Sequence, residues 1–130
     1  MQFPYLLKKD GRMEQIWEKA REIGRLVAQS DEYKALKRAN DRLSDDRDTV
    51  AGINRLGTLQ ESIGVALQSG REPDEAEREE FERLATTVQS SGAYQAFEAA
   101  RSNFDRLMMR IDEEIAKGIE AGEQSRIILT

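Results

Sequence analysis

Only two prolines, Pro4 and Pro73, interrupt this chain of 130 residues. Proline breaks or kinks a helix interior, because it removes a backbone donor and its ring clashes with the preceding turn. The long stretches between are rich in Ala, Glu, Arg, Leu and Gln, all good helix formers, and apolar residues recur through them at helical spacing. A strand-based fold has nowhere to sit in such a chain. The pattern predicts an all-α protein of about five helices.

The first helix is expected from about Met13 to Ala28, with Met13, Ile16, Trp17, Ala20, Ile23 and Val27 on one stripe. Ser30-Asp31-Glu32 reads as a stop and a new N-cap. The second helix then runs to about Leu43, with Tyr33, Leu36, Ala39 and Leu43 inward. Ser44-Asp45-Asp46 breaks it. The third is expected over Arg47–Gln68, with Val50, Ile53, Leu56, Ile63 and Leu67 as its apolar face. Gly57 and Gly64 are seven apart on nearly one face of it. They either admit another backbone closely or leave the helix loosely specified and kinked.

Ser69-Gly70-Arg71-Glu72-Pro73 is the clearest loop. Asp74 followed by Glu77 resembles a capping box and opens a fourth helix to about Gln89, with Phe81, Leu84, Ala85 and Val88 inward. Ser90-Ser91-Gly92 turns the chain into a fifth helix from about Ala93 to Ala121. At 1.5 Å per residue that helix is roughly 43 Å long, longer than a compact chain of this size is wide, at about 28 Å. Its stripe, including Phe104, Met108, Ile111 and Ile115, therefore needs a partner, and a second copy of the chain is the simplest one. The expected architecture is elongated, with antiparallel helical hairpins and a long C-terminal helix, and is dimeric. Residues 1–12 are read as an N-terminal extension, 13–121 as the helical domain and 122–130 as a tail.

A faint repeat with an offset of 61 runs through the chain. Ser30, Tyr33, Ala35, Leu36 and Ala39 align with Ser91, Tyr94, Ala96, Phe97 and Ala100, and Ile23 and Val27 fall on Leu84 and Val88. An αα-hairpin used twice explains the match. Chance similarity between helical stretches is the alternative.

Composition narrows function more than fold. There is no cysteine and no histidine, so a Cys/His zinc site, a thiol nucleophile, an imidazole base and a Ser-His-Asp triad are all excluded. The acidic run at Asp45, Asp46 and Asp48 lacks the glycine and the glutamate of a calcium loop. The glutamates of the fourth helix flank its apolar stripe and read as a solvated face. Cofactors are expected to be none, and the chain is expected not to be an enzyme.

The net charge is −5, spread unevenly: residues 1–40 carry +3 and residues 41–130 carry −8. That balance argues against DNA as a partner. One basic stripe, Lys34, Lys37, Arg38 and Arg42, offers a face for RNA phosphates or an acidic protein. No apolar run approaches the roughly 18 residues of a membrane span, so no membrane insertion is expected and a cytoplasmic protein is the default.

Beyond these physical readings, the segments Ile16-Trp-Glu-Lys-Ala-Arg-Glu-Ile-Gly-Arg-Leu26, Gln29-Ser-Asp-Glu-Tyr-Lys-Ala-Leu-Lys-Arg-Ala39, Gly70-Arg-Glu-Pro-Asp-Glu-Ala76, Phe81-Glu-Arg-Leu84 and Tyr94-Gln-Ala-Phe-Glu-Ala-Ala100 resemble the YlbF/YmcA-like family of small helical bacterial proteins. The resemblance covers about Met13 to Ala121. It implies a non-enzymatic cytoplasmic protein that self-associates. Some members regulate competence, sporulation and biofilm formation, in a complex that guides a membrane-anchored endoribonuclease in mRNA processing. The implied partners are thus the chain itself, other family members and a ribonuclease. Certain members are linked to iron–sulfur clusters through cysteines; this chain has none, and cluster binding does not carry over.

Overall fold

In the computed structural model, the backbone is described for residues 3–129 and the side chains for residues 11–124. Five helices follow one another: α1 (Phe3–Ala28), α2 (Asp31–Asp45), α3 (Arg47–Gln68), α4 (Glu75–Gln89) and α5 (Gly92–Leu129). No strand occurs among the described residues, and the protein is all-α. The chain divides into two units, residues 1–34 and residues 35–130.

The internal boundaries follow from capping. Ser30 accepts a hydrogen bond from the Tyr33 amide at 3.1 Å and starts α2. Asp46 does the same for α3 through the Thr49 amide at 3.2 Å, satisfying one of the free donors at a helix start. At the other end of α3 the chain passes through Gly70 at φ 73°. The Arg71 amide returns to the Ala66 carbonyl at 2.9 Å, and that of Gly70 to Leu67 at 3.1 Å. This is the double closure of a Schellman turn, whose left-handed residue is best filled by glycine.

Three expectations need correction. Asp74 caps α4 through the Ala76 amide at 2.9 Å, not through a reciprocal box with Glu77, whose carboxylate instead takes the Ser62 hydroxyl at 3.1 Å. Helix α1 begins at Phe3 rather than near Met13, and α5 continues to Leu129 rather than ending near Ala121. Neither end carries a stop signal strong enough to compete. Pro4 sits in a first turn, where its missing donor costs nothing, and single glycines such as Gly118 weaken a helix without ending it. At 38 residues α5 is roughly 57 Å long.

In the second unit, α3 and α4 form the main antiparallel pair. The core is small. Its buried apolar residues are Ala39 and Leu43 from α2, Leu59 from α3, Val88 from α4, and Ala93 and Ala100 from α5, with Thr49 and Gly52 buried beside them. Leu59 is the one large side chain among the described residues that is fully buried. The buried face of α3 is thus turned towards Thr49, Gly52 and Leu59, whereas the apolar face expected from the pattern ends at Leu67, which is 62% exposed. Gly52 and Thr49 do not register as apolar, so the pattern placed the stripe to one side. Beside Gly52 an added Cβ would lie 3.0 Å from Val88 Cγ2, a close approach of α3 to α4. Arg55 spans the same pair with two 2.8 Å hydrogen bonds to the Glu80 carboxylate.

In the first unit, α1 is an amphipathic helix. Glu18 lies between Arg21 at 2.9 Å and Arg25 at 3.3 Å. Those hydrogen bonds hold its carboxyl below the ordinary glutamate value.

Candidate functional site

The basic stripe of α2 is where the spacing put it. Lys34, Lys37, Arg38 and Arg42 are all exposed, and Lys34, Arg38 and Arg42 succeed one another every four residues on one face. No ion pair engages the four among the described residues. Arg42 differs from the others, because its guanidinium lies 3.2 Å from where a Cβ on Gly92 would stand. It covers the start of α5, and three cations remain as an outward face.

The two glycines singled out by spacing, Gly57 and Gly64, are open within the described residues. A Cβ added at Gly57 or Gly64 would meet nothing within 4 Å among the described residues. The close approach belongs to Gly52. Gly64 lies instead on the floor of a shallow apolar cleft with Ile63, Leu67 and Phe81, edged by Arg78 and Glu82. A second, polar cleft on the same hairpin is bordered by Glu61, Ser62, Arg71, Glu72, Asp74 and Glu77.

On α5 the expected stripe is partly uncovered from Phe104 onward. Ile111 and Phe104 are half-buried, while Met108 and Ile115 are 38% and 48% exposed and Ile119 is 66% exposed. On α1, Met13, Ile16 and Trp17 are exposed as well. Trp17 therefore belongs to a surface and not to a core.

The turns reveal what local reading could only suggest. Ser91 accepts from the Tyr94 amide at 3.3 Å, as Ser30 does from Tyr33 at 3.1 Å. The Ser30 and Ser91 amides each donate to a valine carbonyl three residues back, Val27 and Val88, at 3.0 Å. Ala39 and Ala100, also 61 apart, are both buried. The repeat is therefore a repeat of structure. One feature distinguishes the second turn: the Thr49 hydroxyl donates to Ser91 Oγ at 3.1 Å, tying the start of α3 to the α4–α5 turn. No local signal announces that bond, which joins residues 42 apart.

The acidic residues are also better occupied than a solvated face requires. Glu80 accepts from Arg55, and this pairing holds its carboxyl below the usual range and raises the Arg55 guanidinium. Glu77 accepts from Ser62, and Asp46 is a cap. Among the described residues no group of three or more acidic side chains gathers as a metal ion would require. No helix among them is long and apolar enough to cross a membrane. The arrangement offers apolar helix faces edged by charge, suited to holding another helix.

Comparison with known proteins agrees in extent with the segments quoted above. A family model described as "Control of competence regulator ComK, YlbF/YmcA" matches residues 16–120. A UPF0342 protein of Leuconostoc mesenteroides is 20% identical over 104 residues, covering 80% of this chain and 89% of the relative. A UPF0342 protein of Limosilactobacillus fermentum is 27% identical over 100 residues, covering 77% and 83%.

Proposed function

The chain belongs to the YlbF/YmcA family, described as controlling the competence regulator ComK, and from that premise we propose that it is a non-enzymatic, self-associating regulatory adaptor of the cytoplasm. It works through helix faces that bind protein. Its partners are a second copy of itself and, as the family resemblance implies, related chains and a ribonuclease whose mRNA processing it modulates.

The observation that carries this reading is the ratio of covered to uncovered apolar surface. Among the described residues one large side chain is fully buried, while Met13, Ile16, Trp17, Met108, Ile115 and Ile119 stand at 38–66% exposure. Each such side chain contributes about 1.5–3 kcal/mol when it is fully removed from water, and a contiguous uncovered stripe marks an interaction surface. Size-exclusion chromatography with light scattering tests the reading directly. A mass of twice the chain's 14.8 kDa or more is expected at micromolar concentration, and a strict monomer there overturns it.

A second reading, RNA contact through α2, is favoured by the three exposed cations Lys34, Lys37 and Arg38 that carry no ion pair among the described residues. Binding of this kind must weaken with salt. Absence of affinity at about 50 mM salt, where phosphate contacts are strongest, removes it.

A further inference from the structure

We propose that the apolar stripe of α1 in one copy pairs, in parallel, with the Phe104–Ile115 stretch of α5 in a second copy, so that a twofold dimer is closed by two identical α1–α5 seams. The proposal rests on the self-association reading above and says which surfaces make it.

The order of charges beside the two stripes favours this pairing. On α1, Met13, Ile16, Ala20, Ile23 and Val27 follow the alternating spacing of three and four that defines a heptad seam. Arg12 and Lys19 then fall at the edge position just before each first seam residue. The acids Glu14, Glu18 and Glu22 lie on the opposite face, where Glu18 is occupied by Arg21 and Arg25. The α1 stripe is therefore apolar with a basic edge.

On α5, Met108, Ile111 and Ile115 continue the same spacing from the level of Phe104. Asp105 and Asp112 fall at the edge just after each second seam residue. Both are exposed, and neither has an ion pair among the described residues. This stripe is apolar with an acidic edge.

In a parallel pair the first kind of edge faces the second kind five residues further on, about 1.4 turns. Setting Ala20 opposite Met108 puts Ile23 opposite Ile111 and Val27 opposite Ile115, with the smallest seam residue against the longest. The same register brings Arg12 to Asp105 and Lys19 to Asp112, both pairs at once. Lys19 is free to move, since its contact with Glu22 is 3.8 Å long and exposed. Other pairings match less well. Two α5 helices run antiparallel would bring the Asp105/Asp112 edge against its own copy. Two α1 helices so arranged would do the same with Arg12 and Lys19, and like charges in register repel. Antiparallel α1 on α5 offers Lys19 to Glu114 only, and Glu114 is already held by Lys117 at 3.0 Å.

The absence of native cysteine makes the test clean. An Ala20→Cys chain and a Met108→Cys chain carrying tags of different size are mixed and oxidised, and light scattering is recorded on the same samples. The expected product is the mixed disulfide dimer, exceeding either homodimer. Charge provides an independent measurement that leaves the seam's packing intact. The pair Asp105→Lys and Asp112→Lys should weaken dimerisation at least about tenfold, since it turns four attractive contacts into repulsive ones, and adding Arg12→Glu and Lys19→Glu should restore it. A dimer by light scattering that gives Met108→Cys homodimers, or no disulfide at all, overturns the seam and leaves self-association standing. A disulfide formed only within a chain carrying both cysteines also overturns it. A monomer by light scattering overturns both.

Discussion

Replacing Gly52 by alanine sets two effects of known sign against each other. In an exposed helix interior the change gains about 1 kcal/mol, because alanine loses less conformational freedom than glycine. At Gly52 the new methyl would stand 3.0 Å from Val88 Cγ2. Val88 is 4% exposed, and as a β-branched residue within α4 it is confined to essentially one rotamer. It has little room to retreat, and inserting a methyl into such a place costs roughly 1–3 kcal/mol. Gly52→Ala is therefore expected to be neutral or to destabilise by up to about 2 kcal/mol. Gly57→Ala, five residues along the same helix with nothing within 4 Å, should show the propensity gain alone. The two variants should differ by about 1–3 kcal/mol, or roughly 4–12 °C in melting temperature at about 4 °C per kcal/mol. Thermal melts by circular dichroism at one fixed chain concentration will read the difference. In a Val88→Ala background the penalty at Gly52 should vanish, a coupling that a double-mutant cycle isolates. Equal stabilisation by the two glycine substitutions would falsify the assignment of Gly52 as the close approach of α3 to α4.

Other consequences are equally open to measurement. Leu59→Ala should cost about 2–5 kcal/mol in a denaturant titration, since Leu59 is the fully buried side chain of the α3–α4 pair; a loss under 1 kcal/mol would show that this pair is not the core. Ser30→Ala and Ser91→Ala should each lose about 1 kcal/mol of cap energy. Ser91→Ala should lose more, because it also strands the buried Thr49 hydroxyl; equal losses would mean that the Thr49 bond contributes nothing. Stability should also fall on acidification through Glu80. Its folded carboxyl titrates below the ordinary 4.5 because Arg55 hydrogen-bonds it, so its contribution is fully present above that value and lost as pH falls through the folded one. Glu80→Gln should therefore flatten the acid limb of a pH–stability curve, and an unchanged limb would count against the pairing.

Much of the fold was readable because its punctuation is local. Ser30, Asp46 and the Ser69–Pro73 loop mark helix ends by groups that act within a few residues, and α3 runs over Arg47–Gln68 as expected. The outer ends of α1 and α5 lack such marks, so their length could not be read. Which glycine is crowded was unreadable for a different reason. Gly52, Gly57 and Gly64 look alike locally, and only the arrival of Val88 from another helix separates them. The same holds for Thr49, whose burial depends on Ser91. The exposed apolar stripes were readable because exposure leaves the amphipathic pattern unaltered, whereas the small core was displaced to residues that do not look apolar.

The capped serine turns have a kinetic consequence. Most of the contacts that hold this chain lie within single helices or between neighbours joined by turns of a few residues, and such low contact order places folding in the microsecond-to-millisecond range. The closures at Ser30, Asp46, Gly70 and Ser91 each form from residues already adjacent. The Thr49–Ser91 bond must wait for a segment of 42 residues to return. Helix and turn formation should thus run ahead of it, and the slow event in reaching the native state is the docking of the α4–α5 turn onto the start of α3.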